Sequence, residues 1–290
     1  MQKASAIQKE VEGIETVENL TGVFESIAST QVAKIKTRVV LAKEFFDLLW
    51  VRYSAIRIDP GSRISYRDHT AESDREVFVI ISAEAGLSGD LDARLIETML
   101  RDYDAATTDI MVLGTHGANQ LKQSGIPYKR YFQVPPSEGY VNVAPVIEAI
   151  SPYGSISVYY EEYVSLGVQG IKKIDLHTTI QEMSKGTDLS EDIITPQNTI
   201  FEPSLDEIAD LMEQAMMTLA FSQAILESSL AQDASRFNAM ATAKKRAFDL
   251  INLYKLDFHR AKRSENDRRS REVMISLKKK KKAKAAGKAH

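Results

Sequence analysis

The sequence predicts an α/β chain built as a long antiparallel coiled coil of N- and C-terminal helices with a small α/β domain inserted between them. Three observations predict it. All eight prolines lie between Pro60 and Pro203, and eleven of the fourteen glycines lie between Gly61 and Gly186, so both ends are nearly free of helix breakers. Both ends also carry apolar residues in alternating steps of three and four. The middle alternates short apolar runs with helical periodicity. These features divide the 290 residues into an N-terminal coiled-coil helix over 1–59, an α/β domain over 60–200, a C-terminal coiled-coil helix over 201–277 and a basic tail over 278–290.

The C-terminal helix has the clearest pattern. Pro203 and Ser204, followed by the acidic Asp206 and Glu207, form a helix start. A seam of three-four steps then passes through Leu205, Ala209, Met212, Met216, Leu219, Leu226 and Leu230, and on through Phe237, Met240, Ala247, Ile251, Tyr254, Phe258 and Ala261. Only Gln223, Asp233 and Lys244 on that seam are polar. A repeat of 3.5 residues sustained this long keeps one stripe facing a partner helix, which is the signature of a left-handed coiled coil.

The N-terminal helix supplies the partner. Val32, Ile35, Val39, Ala42, Phe46, Leu49, Tyr53 and Ile56 keep the same stepping, and Asp59, Pro60 and Gly61 stop it. At 1.5 Å per residue the two helices reach roughly 80 Å and about 100 Å or more, far beyond ordinary globular lengths. Because they sit at opposite ends of the chain with a domain between them, antiparallel pairing is the simplest arrangement.

In the middle, Val77–Ile81 is a continuous apolar run suited to a buried parallel strand, Asp90–Tyr103 has helical periodicity, and Asp109–Leu113 is a second strand ending in a glycine loop. Arg130–Val134 and Ser155–Tyr160 are further strands, and Val141–Ile150 is a helix interrupted by Pro145. The outcome is a small, mostly parallel, Rossmann-like sheet.

Composition narrows the function. No cysteine is present, which removes disulfides, thiolate metal sites and cysteine redox chemistry and fits a reducing compartment. A net charge of -3 gives no global argument for nucleic acid. The charge is uneven, however, with Lys244, Lys245, Arg246, Arg260, Lys262, Arg263, Arg268, Arg269 and Arg271 on one helix and five consecutive lysines at Lys278–Lys282. The helix reads either as a solvated face or as a contact for acidic partners, and the lysine run as a solvated, frayed tail or as a contact for an acidic partner or anionic lipid. No apolar run approaches the roughly 20 residues that span a bilayer, and Met1–Glu10 lacks the apolar core of a secretory signal.

Catalytic and cofactor signatures are weak. The loops Ala85-Gly86-Leu87-Ser88-Gly89 and Gly114-Thr115-His116-Gly117 follow strands, where such sheets bind phosphate. Neither matches GxxxxGK[ST] or GxGxxG, so both read as strand-to-helix turns. His69, His116, His177, His259 and His290 are scattered without an HExxH pair. No GxSxG elbow occurs. The expectation is a chain with no catalytic, metal-binding or cofactor-binding residues.

Four regions of the chain resemble the ATP synthase γ family. Val79-Ile80-Ile81-Ser82-Ala83-Glu84-Ala85-Gly86-Leu87-Ser88-Gly89-Asp90-Leu91-Asp92 is similar to that family's strand and Ser-Asp-Arg-Gly-Leu-Cys-Gly-Gly-Leu-Asn loop, and Leu113-Gly114-Thr115-His116-Gly117 to its strand followed by Gly-Arg-Lys-Gly. Ala234-Ser235-Arg236-Phe237-Asn238-Ala239-Met240 resembles its Ala-Ala-Arg-Met-x-Ala-Met segment, with the similarity continuing to Arg263. Val17, Asn19, Val23, Ile27 and Lys34-Ile35-Lys36 align with its N-terminal helix. The chain departs where the family has Lys and it has Glu25, at Asn266-Asp267 in place of Ile-Thr, and at its ending, Val273–Leu277 and then lysines.

The resemblance implies a non-catalytic central-stalk rotor, whose paired helices stand inside a ring of α and β subunits while its sheet domain meets the ε subunit and the membrane c-ring. It implies contacts to the catalytic head at Ile27, Arg236, Arg263 and Asp267, with Arg236 pairing a β-subunit carboxylate. It also implies no nucleic acid, and a peripheral location on the cytoplasmic side of a bacterial plasma membrane, or the equivalent organelle inner membrane, reached only through the complex. Two alternatives are a nucleic-acid-binding coiled-coil hairpin and the rotor of an F-like ATPase serving another machine. An enzyme reading needs nucleotide on the Gly86 and Gly114 loops.

Overall fold

The structure is a computed structural model that describes residues 4–56, 73–135, 141–176 and 205–286. It separates into two compact units, Met1–Glu25 with Met240–His290, and Ser26–Ala239. Helix α1 spans Ala4–Ile56 and helix α5 spans Leu205–Ala286, so each contributes to both units. The expected breakers Asp59-Pro60-Gly61, the helix-start residues Pro203-Ser204, and His69, His177 and His290 lie outside the described residues, as do the side chains of Tyr53 and Ile56.

In the first unit the two helices pair antiparallel. The Ala4 amide donates to Glu265 Oε1 at 3.3 Å, Lys255 meets Glu15 at 3.1 Å, and Lys244 meets Glu25 at 2.9 Å. The partner number falls as the α1 number rises. Ala4, Ile7, Val11 and Thr21 are buried along α1, and Met240, Ala247 and Ile251 along α5, which keeps the expected 3.5-residue seam. On α1 that seam runs back to Ala4, well before Val32. Its early half is hidden in the sequence by the polar Glu18, Thr21 and Glu25. Lys278–Lys282, expected to fray, continue α5 to Ala286, consistent with the strong helix preference of lysine and alanine and the lack of a breaker before Gly287.

The second unit is organised by a five-stranded sheet. Its strands are β1 (Ser73–Ile81), β2 (Thr108–Leu113), β3 (Arg130–Phe132), β4 (Tyr153–Ser165) and β5 (Val168–Asp175), in the order β3-β2-β1-β4-β5. All pairs are parallel except β4–β5. Three shorter helices connect them, α2 (Leu91–Asp102), α3 (Thr115–Gln123) and α4 (Ala144–Ile150). The mostly parallel sheet is as expected, but the hairpin strand β5 and helix α3 were not visible in the sequence. Gly170 and the paired lysines of β5 blur its alternation, and α3 is short and polar. Pro145 does not interrupt α4. It sits in the first turn, where a missing N–H costs nothing.

Strand alternation places side chains on two faces. Val77, Val79, Ile81, Ile156 and Val158 face α4 and the Phe221, Ala224 and Ile225 side of α5, with Val39 and Ala42 of α1 against the same core. Phe78, Ile80, Ile110, Val112 and Tyr159 face α2 and α3 through Leu95, Met99 and Leu121. Next to these, Phe46 of α1 packs on Met216 of α5, with Leu49 and Met212 alongside, so the pairing is antiparallel here too. Over residues 216–234 α5 buries far more than a coiled-coil stripe, because it packs against α1 and the sheet together. Phe221, Ile225, Ala231 and Ala234 are thus core residues that the seam did not include.

Candidate partner-contact residues and the clasped glycine loop

The polypeptide leaving β1 makes a loop that the rest of the unit holds tightly. Ser82 Oγ donates to Leu113 O at 2.8 Å and accepts the Gly117 amide at 3.0 Å. Asp92, in the first turn of α2, accepts the Ala83 amide at 2.9 Å and the Ser88 hydroxyl at 3.0 Å, so the carboxylate ties the loop to a helix N-terminus. His116 lies against Gly86, where an added Cβ would fall 3.0 Å from its ring. At the loop tip Leu87 takes φ 74 and is half exposed. A leucine in that region carries strain, which persists only when its surroundings hold it.

The second glycine loop begins α3, and its amides are all engaged. Thr115 N donates to Glu84 Oε2 at 3.1 Å, His116 N to Ala83 O at 3.0 Å and Gly117 N to Ser82 Oγ at 3.0 Å. Glu84 also accepts from the Thr115 hydroxyl at 2.9 Å and from Tyr131 at 3.2 Å. A carboxylate of the chain itself therefore occupies the helix-end position that would attract a phosphate. Gly114, at φ 97, lies so close to Ser82 that an added Cβ would fall 2.3 Å from Ser82 O. Its type is required for this close approach.

Arg236 clasps the first loop from α5. Its Nε donates to Gly86 O and its Nη2 to Ala85 O, both at 3.2 Å, and its Nη1 pairs with Asp233. Ser235 Oγ adds a 2.6 Å bond to Ser88 O. Burial raises the Asp233 carboxyl above its ordinary range while the Arg236 charge pulls it back down. Of the four residues assigned to head contact, Arg236 thus has its guanidinium committed to its own chain. Ile27, in the same unit, is 51% exposed. In the other unit Arg263 and Asp267 lie one helical turn apart on α5, both exposed. There too Glu25, the departure from lysine, is answered by Lys244. The residues that sequence reasoning missed are Glu84 and Ser235, whose roles depend on contacts across more than 25 positions, and Asp92, whose bonds back to Ala83 and Ser88 within the first glycine loop no residue spacing signals.

An antiparallel two-helix coiled coil carrying an inserted, mostly parallel sheet is the class of protein that this fold defines. The sequence model of the ATP synthase family matches residues 3–266, and the chain belongs to that family. It is 24% identical over 299 residues to the ATP synthase gamma chain of Malacoplasma penetrans, covering 96% of this chain and 99% of that one. It is 22% identical over 283 residues to the gamma chain of Mycoplasmoides gallisepticum, covering 92% and 96%. Among solved structures it is similar in fold to a chain of the Euglena gracilis mitochondrial ATP synthase rotor, with a TM-score of 0.63 and 14% identity over 90% of this chain and 98% of that one. A chain from the OSCP/F1/c-ring structure of the same enzyme gives a TM-score of 0.65, 14% identity and 94% coverage of each. No helix among the described residues is long and apolar enough to cross a membrane.

Proposed function

We propose that the chain is the central stalk of an F-type ATP synthase, turning within the catalytic head and contributing no catalytic group of its own. The single observation carrying this reading is the family match over residues 3–266 on a chain whose two terminal helices pair antiparallel. In this role the helix pair meets α and β subunits, and the sheet domain meets ε and the c-ring. The chain reaches the membrane through those partners. Because one asymmetric pair of helices cannot present the same face to several equivalent subunits, its angle selects which of them is in which conformation. The selection works only through differences in contact energy.

Within this reading the head contacts are Ile27, Arg236, Arg263 and Asp267. Ile27, Arg263 and Asp267 are exposed for direct contact. Arg236 holds the Ala85–Gly86 carbonyls and thereby sets the exposed tip at Leu87, so a partner carboxylate would share a guanidinium that is already engaged. A tagged copy purified from its native host tests the proposal, with co-purifying chains identified by mass spectrometry. Recovery of α, β and ε subunits with ATPase activity is expected. Recovery of the chain alone, or with nucleic acid in their place, refutes the rotor reading.

A further inference from the structure

Helix α5 runs on well past Ile251, its last buried residue among those described. The family model matches residues 3–266, and α5 continues for twenty residues more, to Ala286, a length of about 30 Å. From Asn266 to Lys279 every residue is exposed, among them the apolar Val273, Met274, Ile275 and Leu277. Between Arg268 and Lys284 stand nine basic residues and one acidic residue, Glu272, which pairs with Arg268 at 3.5 Å. Lys278–Lys282 have no such answer from their own helix. The positions three and four away on either side, from Met274 to Ala286, include no Asp or Glu, and lysines one turn apart repel.

The arrangement is banded along the helix and not sided. Successive helix positions lie about 100° apart, so Val273, Met274 and Ile275 occupy three different sides, and the five consecutive lysine positions pass round the whole circumference. A helix lying on a bilayer segregates its apolar and basic faces. A helix seated in the groove of a nucleic-acid duplex, or against a second helix, is likewise met along one side. A banded helix fits instead a partner that encloses it, with an apolar ring followed by a ring of negative charge. Protein side chains can build such a ring, and their fixed negative groups are the carboxylates of Asp and Glu.

We propose that the end of α5 seats in a protein socket lined with carboxylates, which holds the band Lys278–Lys282. The proposal rests on the central-stalk reading, in which the enclosing partner is the ring of α and β subunits. Its consequence there is mechanical. Sided contacts select an angle through differences in contact energy, whereas a uniform band of charge meets the same surroundings at every angle. The socket therefore holds the helix end without opposing rotation, and the hold weakens with salt because the charges are solvated.

The complex purified through a tagged copy of the full chain tests this in two ways. A carbodiimide joins an amine to a carboxylate only where the two touch, so it should couple Lys278–Lys282 to Asp or Glu of α or β subunits, as read by mass spectrometry. The combined Lys278→Gln, Lys279→Gln, Lys280→Gln, Lys281→Gln and Lys282→Gln variant removes the charge and keeps the helix preference. Its α and β subunits should leave the immobilised chain about tenfold faster than those of the wild type at about 50 mM KCl, with the difference vanishing at about 500 mM. Equal release at low salt, or no coupling of these lysines to α or β carboxylates, overturns the proposal and leaves the stalk reading standing, because α and β are still recovered. Failure of the wild type to recover α and β refutes both. Binding of the assembled wild-type complex through these lysines to phosphatidylglycerol vesicles or to duplex DNA would show that they stand outside any socket, and also overturns the proposal.

Discussion

Removing the Arg236 guanidinium should weaken the joint between α5 and the glycine loop by an amount that can be reasoned from its surroundings. Arg236 and Asp233 side chains are 18% and 13% exposed. Breaking a fully buried ion pair by deleting one partner costs roughly 3–5 kcal/mol, whereas an exposed pair is worth about 1 kcal/mol or less. For this mostly buried pair, with two loop carbonyls losing donors as well, Arg236→Ala should cost about 2–3 kcal/mol. The deletion leaves Asp233 buried without its cation, so its carboxyl moves further above the ordinary range. The penalty is then fully present near neutral pH and shrinks as pH falls and Asp233 takes up a proton. Urea unfolding of the full chain at about pH 7.5 and about pH 5 measures both effects. A double-mutant cycle with Asp233→Asn should give a coupling of at least about 1 kcal/mol. Additive single and double variants, or a penalty that does not depend on pH, would refute the reasoning.

Two further substitutions probe the strained and the solvated parts of the chain. Gly114→Ala combines a positive φ with a Cβ placed 2.3 Å from a backbone oxygen, and should cost about 3 kcal/mol or more; a fall below about 1 kcal/mol in a thermal or denaturant melt would show that the loop repacks freely. Lys244→Ala removes a 2.9 Å pair with Glu25 whose side chains are 46% and 24% exposed, and should cost no more than about 1 kcal/mol, less at high salt. A larger or salt-independent loss would mean that Lys244 stabilises the helix pair through packing of its methylene stem as well as through its charge.

Much of the architecture could be read from residue order. The terminal helices follow from the scarcity of breakers and the 3.5-residue repeat, and β1, α2, β2 and β4 follow from apolar runs and periodicity. Where reading stopped, local pattern stopped carrying the information. The early α1 seam passes through Glu18, Thr21 and Glu25, which are poor core residues by type but adequate opposite Lys244 and its neighbours. Strand β5 is specified by pairing with β4 more than by its own residues. Ile27, Arg236, Arg263 and Asp267 are proposed for head contact on the resemblance alone, and the commitment of Arg236 to Ala85, Gly86 and Asp233 could not be read from it.

The sequence by itself determined the periodic part of this protein, because hydrophobic spacing along a helix is a local property that needs no knowledge of what lies across from it. Tertiary structure alone decided which second face of α5 would be buried against the sheet, that Glu84 would cap α3, and that Glu161 would meet Ser228 and Gln232. Those outcomes depend on residues between 31 and 151 positions apart being brought to one place, and no window along the chain contains both sides of such a contact.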